Sequence, residues 1–263
     1  MDNEIKCKSC SKEPTDRINV MRFISRLDDC FRKNDLEEAV NTVRFWEAEA
    51  TRLHDTAGLL SVLNEELGLF RRLGDRENAL RAIKLTCDIL DKEDITGSIS
   101  RATIIINLAT TMKAFGDPQN AIIYYEKAQS VYSELKEEDT YEYATLLNNK
   151  SSTLCDLKRF DEAEACLRKA IEILNPMGDY DADIALSYLS LAHLYYDRDE
   201  TSTETVEGFI DTAWDYINGN RQERNSDYAF AISKCAPSFR YFCREIEALA
   251  LEETAKEIYG GNL

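Results

Sequence analysis

One phrase recurs along the chain at nearly constant intervals: "NDLEEAVNTVRFWEAEA" (34–50), "GDRENALRAIKLTCDIL" (74–90), "GDPQNAIIYYEKAQSVY" (116–132) and "KRFDEAEACLRKAIEIL" (158–174). The aligned alanines, Ala39, Ala79, Ala121 and Ala163, lie 40, 42 and 42 residues apart, and Ala248 follows after 85 more, two further periods. "TETVEGFIDTAWDYI" (203–217) fills the gap as a fifth copy, with Thr205 or Val206 in the alanine's place. A period of this length marks a stack of supersecondary units, none of which buries its apolar face alone.

A second apolar-periodic stretch precedes each copy: 20–33, 58–73, 101–115, 141–157, 183–197 and 228–244. Apolar residues recur there three and four apart, as in a helix buried on one side. Only 10 Gly and 4 Pro in 263 residues, with 44% hydrophobic side chains, suit helices with short turns rather than a β-sandwich. Six helix–turn–helix units follow. Gly-Asp at 74–75 and 116–117 and Asn-Asp at 34–35 place a helix-ending residue before an acidic cap, and Pro118 falls in a first turn, where a helix accepts proline. The recurring alanines are small because helices that cross closely leave room only for a methyl group.

The pattern resembles the tetratricopeptide repeat, in particular the long, kinesin-light-chain-like form with about 42 residues per unit. Asn149, Ser151, Leu154, Ala163, Ala170 and Pro176 carry the likeness in the fourth unit, and Asn107, Leu108, Ala109, Ala121 and Ala128 in the third. Leu191, Ala192 and Tyr195 carry it in the fifth, and Ala236, Phe239, Ala248 and Ala255 in the sixth. Trp46 and Thr86 depart from it by replacing the later small residue of units one and two. The resemblance covers roughly residues 15–260. It implies an all-α, right-handed superhelical solenoid of about six helix pairs forming a single domain, with tails at 1–14, expected to be mobile, and 261–263.

It also implies a non-catalytic protein-interaction module whose first helices line a concave groove for a peptide segment or helix of a partner. Counting fourteen residues back from the shared alanines reaches Asn107 and Asn149, with Glu65 in unit two. An amide at this position offers a donor and an acceptor to a peptide main chain. Asn148, Lys113, Ser152, Arg72, His193 and Tyr196 are expected on the same wall, with Arg71 and Asp156. Ile106 and Thr103 stand where chaperone-tail-binding relatives carry cations, so that activity is not expected. Two other readings remain open: a repeat protein that senses a signalling peptide, and a homodimer that occupies its own groove.

Charge narrows the partners. The 32 Lys+Arg against 49 Asp+Glu give a net of -17, which repels nucleic-acid backbones and anionic lipid. No run of about 18 apolar residues suggests a membrane span, and the start lacks a signal-peptide core, so a cytoplasmic location is expected. Cys30, Cys87, Cys155, Cys166, Cys235 and Cys243 sit in helical patterns and read as reduced core residues. Cys7-Lys-Ser-Cys10 has half of a zinc spacing and no second half, so neither metal nor cofactor is expected. His193 and Asp197 lie i,i+4 without a nearby nucleophile turn, and the acid-rich stretch 133–142 lacks calcium-loop spacing and reads as a linker.

Overall fold

The turns explain the architecture. Each within-pair turn whose residues are described has one residue in the left-handed region: Asn34, Gly74, Gly116, Lys158 and Cys243, with φ of 52°, 66°, 88°, 60° and 62°. The next amide reaches back to the carbonyl five residues earlier, Asp35 to Cys30, Asp75 to Phe70, Asp117 to Met112, Arg159 to Leu154 and Arg244 to Phe239, at 2.8–3.0 Å. One helix is thereby closed and the chain reversed in three residues. Asp35, Asp75 and Asp117 then accept the amide three positions on, at 3.0, 3.1 and 3.2 Å, and start the next helix. Asn19, Asp55, Ser98, Thr140 and Asn225 cap other helices in the same way.

The computed structural model describes residues 17–92, 98–198, 203–219 and 222–260. Among them are twelve α-helices and no strand: α1 (Val20–Arg32), α2 (Leu36–Arg52), α3 (Thr56–Leu73), α4 (Arg76–Lys92), α5 (Ile99–Ala114), α6 (Pro118–Leu135), α7 (Tyr141–Asp156), α8 (Phe160–Leu174), α9 (Asp181–Asp197), α10 (Thr203–Asn218), α11 (Ser226–Tyr241) and α12 (Glu245–Gly260). They form the six antiparallel pairs expected from the repeat, an all-α helical-repeat fold. No helix among the described residues is long and apolar enough to cross a membrane. The chain divides into two units, Met1–Lys136 with α1–α6 and Glu137–Leu263 with α7–α12.

In the first unit α1, α3 and α5, the first helices of their pairs, succeed one another, and each of α2 and α4 packs against its own first helix and the next. In the second unit α7, α9 and α11 likewise succeed one another, and α8 packs against both α7 and α9. Ala39, Ala79, Ala121, Ala163 and Ala248 are all fully buried, as close crossings require, and Val206 takes the place in the fifth copy at 7% exposure. Thr86, where an alanine was expected, is also fully buried and turns its hydroxyl onto the Ala82 carbonyl at 2.8 Å. A hydroxyl that bonds its own helix fits an apolar crossing without an unpaired group. Tyr125 and Tyr132 are fully buried, and Trp214 packs edge-on against Phe239 at 5.5 Å, so these second-helix aromatics fill core space.

The cysteines divide differently from the sequence expectation. Cys30 and Cys235 are buried, Cys87, Cys155 and Cys166 are half-buried, and Cys243 is exposed because it is the left-handed residue of the α11–α12 turn. Cys7 and Cys10 lie outside the described residues, as do the two tails expected from the sequence, 1–14 and 261–263.

The first unit also buries charge. Glu66 of α3 has no exposed surface, yet its Oε2 meets Arg81 Nη2 of α4 at 2.5 Å, while Arg81 Nη1 meets Glu47 Oε1 of α2 at 2.5 Å. Arg44 of α2 pairs with Glu47 at 3.2 Å and also bonds Asn78. Burial and the neighbouring Glu47 carboxylate raise the Glu66 pKa to about 7, outweighing the two arginines. Glu47 is also pushed up by burial, but its hydrogen bonds and charge contact with Arg81 hold it below the usual carboxylate range. Glu66 Oε1 is buried with no hydrogen-bond partner among the described residues. The Arg44 guanidinium lies 4.0 Å from it.

Candidate functional site

In the first unit the three first helices converge on a hollow of 270 Å³, lined by Val20 and Ile24 of α1, Ser61, Asn64 and Glu65 of α3, and Ser100, Thr103 and Ile104 of α5. Its polar wall is a relay: Asn107 Nδ2 donates to Asn64 Oδ1 at 2.8 Å, and Asn64 Nδ2 donates to Glu65 Oε1 at 3.0 Å. Burial raises the pKa of Glu65 above the ordinary carboxylate value; the bond from Asn64 acts the other way, and Asp28 adds to the rise. Behind the relay, Thr111 Oγ1 donates to the Asn107 carbonyl at 2.7 Å, and Arg71 Nη1 donates to Thr111 Oγ1 at 3.2 Å.

The second unit repeats the arrangement with different chemistry. A hollow of 510 Å³ opens at the N-terminal ends of its first helices, lined among others by Tyr141, Tyr180, Asp183, Asp227 and Phe230. Tyr141 stacks on Tyr180 with ring centroids 4.5 Å apart, and its hydroxyl donates to Asp183 Oδ1 at 3.4 Å. Burial raises the pKa of Asp183, against the opposing charge of Lys234. Farther along, Asn148 Oδ1 accepts from Ser187 Oγ at 3.0 Å, tying α7 to α9 as Asn107 ties α5 to α3.

The residues singled out from sequence thus differ in what they meet. Asn107 and Asn148 face neighbouring first helices and are occupied by them. Asn149 is half-buried, and its side-chain amide makes no hydrogen bond among the described residues. Ser152 and Asp156 are exposed on α7, and Lys113 is half-buried in the last turn of α5. Arg72 is exposed with its guanidinium 5.4 Å from the centre of the Phe31 ring, toward α1. His193 Nε2 lies 3.1 Å from Ser238 Oγ of α11, and burial lowers its pKa against the opposing charge of Asp197. Tyr196 is exposed, edge-on to Tyr241 at 5.7 Å.

Sequence reasoning missed Asn64, which receives Asn107 across the stack. The signal was present but displaced: Glu65 holds the position equivalent to Asn107, and the actual partner is one residue earlier, 43 positions away. It also missed Tyr241 and Phe242, which lie at the end of α11 against His193. Among the described residues no group of three or more His, Cys, Asp or Glu side chains is placed to hold a metal ion.

Comparison with known proteins agrees with this geometry. Residues 100–175, from α5 through α8, match the tetratricopeptide repeat family model. No curated protein matches the sequence. The structure is similar to BtubC (BKLC) from P. vanneervenii, at TM-score 0.57 and 20% identity, covering 86% of this chain and 92% of that one. It is also similar to a putative kinesin light chain with nearly identical TPR-like repeats from Podosopora anserina, at TM-score 0.53 and 14% identity, covering 77% and 96%. MamA protein shares the fold at TM-score 0.51 and 14% identity, covering 75% of this chain and 91% of that one. Residues 100–175 therefore match the tetratricopeptide repeat model, and the chain shares the helical-repeat fold of these solved structures.

Proposed function

We propose that the chain is a non-catalytic interaction module that holds an extended segment of a partner protein against the first-helix faces of its units. Tetratricopeptide repeats generally mediate protein–protein interactions, which supports the class. The observation that carries the reading is Asn149, a half-buried amide on α7 with donor and acceptor both free of hydrogen bonds among the described residues. Its polar atoms reach solvent, so a ligand that displaces the water there must supply a donor and an acceptor in return. A peptide main chain supplies both partners in the spacing an amide needs. Ser152 lies three residues on from Asn149 on α7, and within the first unit the relay from Asn107 to Asn64 and Glu65 offers a polar first-helix wall of its own.

The test begins with peptides selected by the parent protein from an immobilised array and measured by fluorescence anisotropy. Asn149→Ala removes the amide without untying any helix, and should weaken binding by a few-fold, up to about tenfold, the range of one ordinary hydrogen bond. Glu126→Ala on the exposed face of the second helix α6 should leave affinity unchanged. Equal affinity for the parent and Asn149→Ala, or failure of the parent to select any peptide, would remove the reading.

A further inference from the structure

At the C-terminal ends of α9 and α11, four rings meet at the surface of the second unit. His193 lies 4.8 Å from Tyr241 and 4.7 Å from Phe242, centroid to centroid. Tyr196 stands edge-on to both, at 5.7 and 6.0 Å, and Tyr241 stands edge-on to Phe242 at 5.0 Å. The inner rings are half-buried, but Tyr196 and Tyr241 remain 56% and 54% exposed. The platform is therefore built from below and open above.

Its electrostatic setting selects the guest. Asp197 follows Tyr196 directly, is exposed, and makes no ion pair among the described residues, while its charge acts on both His193 and Tyr241. The nearest arginines in sequence are committed elsewhere: Arg198 to Asp161 at 2.6 Å, and Arg240 to Glu245 and Glu252 at 3.2 and 2.9 Å. Residues 137–263 hold 26 acidic against 12 basic side chains, a net of -14 within the chain's -17. An anionic guest is repelled by this field, and a purely apolar one would strand the Asp197 carboxylate. A cation satisfies both rings and carboxylate, since aromatic faces attract positive charge. Guanidinium fits better than ammonium, being planar, weakly hydrated and able to stack on a ring while its edge bonds a carboxylate.

We propose that this platform takes an arginine side chain of a partner peptide, its guanidinium stacked on Tyr196 or Tyr241 and paired with Asp197. The proposal rests on the peptide-binding reading above and gives that peptide a chemical character: basic, with arginine as the anchor.

Labelled acetyl-tetra-arginine amide is the probe, with acetyl-tetra-citrulline amide as its uncharged counterpart, followed by anisotropy at about 0.15 M salt, where long-range attraction is screened. The parent should bind the arginine peptide and not the citrulline one. Tyr196→Ala/Tyr241→Ala, which leaves the charge of the unit untouched, should weaken binding about tenfold, as expected for two cation–ring contacts. Asp197→Asn should weaken it several-fold, more than Glu204→Gln, an exposed carboxylate of the same unit on α10. An unchanged helix signal and melting curve show that the variants are folded. Parent-like affinity in the tyrosine double variant, equal affinity for the citrulline peptide, or no binding by the parent overturns the proposal. Asn149→Ala with array-selected peptides reports separately on the general reading, so loss there beside unchanged tetra-arginine binding in the tyrosine variant sinks the platform alone.

Discussion

Glu66→Gln isolates a buried proton. In the folded protein Glu66 is fully enclosed, with Glu47 beside it and Arg81 bridging the two, and its pKa rises from 4.5 to about 7. Each tenfold change in proton affinity is worth about 1.4 kcal/mol, so the site contributes up to roughly 3 kcal/mol of pH-dependent stability. The sign follows from which state holds the proton. The fold retains it after the unfolded chain has released it, so the contribution is complete below about pH 4.5 and is lost as pH rises through about 7. Glu47, held low, has the opposite sign, and its contribution fades only as pH falls into the acid range. Glutamine mimics the protonated carboxyl and cannot ionise. Trp46 lies on α2 beside Glu47, so its fluorescence in a Trp214→Phe background reports unfolding of the first unit. Urea titrations at pH 5, 6, 7 and 8 should show Glu66→Gln gaining on the parent by about 2–3 kcal/mol across the series. Two curves that stay parallel from pH 5 to pH 8 would show that Glu66 is ionised throughout and that the arginines outweigh burial.

Two further substitutions address the repeat itself. Ala121→Leu and Ala163→Leu force three extra carbons into fully buried crossings, and each should cost about 1–3 kcal/mol in thermal or urea unfolding; parent-like melting of both would refute the register. Lys158→Gly relieves a left-handed lysine in the α7–α8 turn at φ 60°, a strain of roughly 1–2 kcal/mol partly offset by glycine's greater freedom when unfolded, so stability should rise by about 0.5–1 kcal/mol; a loss in urea unfolding would mean that the lysine side chain holds the turn.

How much could be read from the chain follows from which features repeat in it. The helix pairs were legible because each copy restates the same local chemistry. A buried alanine sits five positions after a left-handed residue at Asn34, Gly74, Gly116, Lys158 and Cys243, as in Asn34 to Ala39 and Gly116 to Ala121. The turn survives even where glycine is replaced, because the backward amide bond is made by the backbone and tolerates lysine or cysteine at a modest cost. The sequence expectation for Cys243 failed for this reason: its apolar neighbours suggested a helix, whereas the turn phase placed it at the surface.

Features that join copies were legible only in part, because they depend on how one helix is rotated against the next. Asn107 was expected from its register, but its bond to Asn64 required α3 to present the residue before the aligned one. A shift of one residue turns a helix by about 100°, enough to exchange which side chain meets the neighbour. The Glu47–Glu66–Arg81 cluster draws one residue from each of three helices and recurs nowhere else among the described ion pairs, so no comparison of copies reveals it. The ring platform has the same origin: Tyr196 belongs to one copy, Tyr241 and Phe242 to the next, and only the close succession of α9 and α11 makes them neighbours. Repetition therefore specifies the scaffold, while its chemical individuality resides where successive copies differ. An acidic second unit with an open aromatic surface and a nearly neutral first unit with an amide relay are built on the same helix pair.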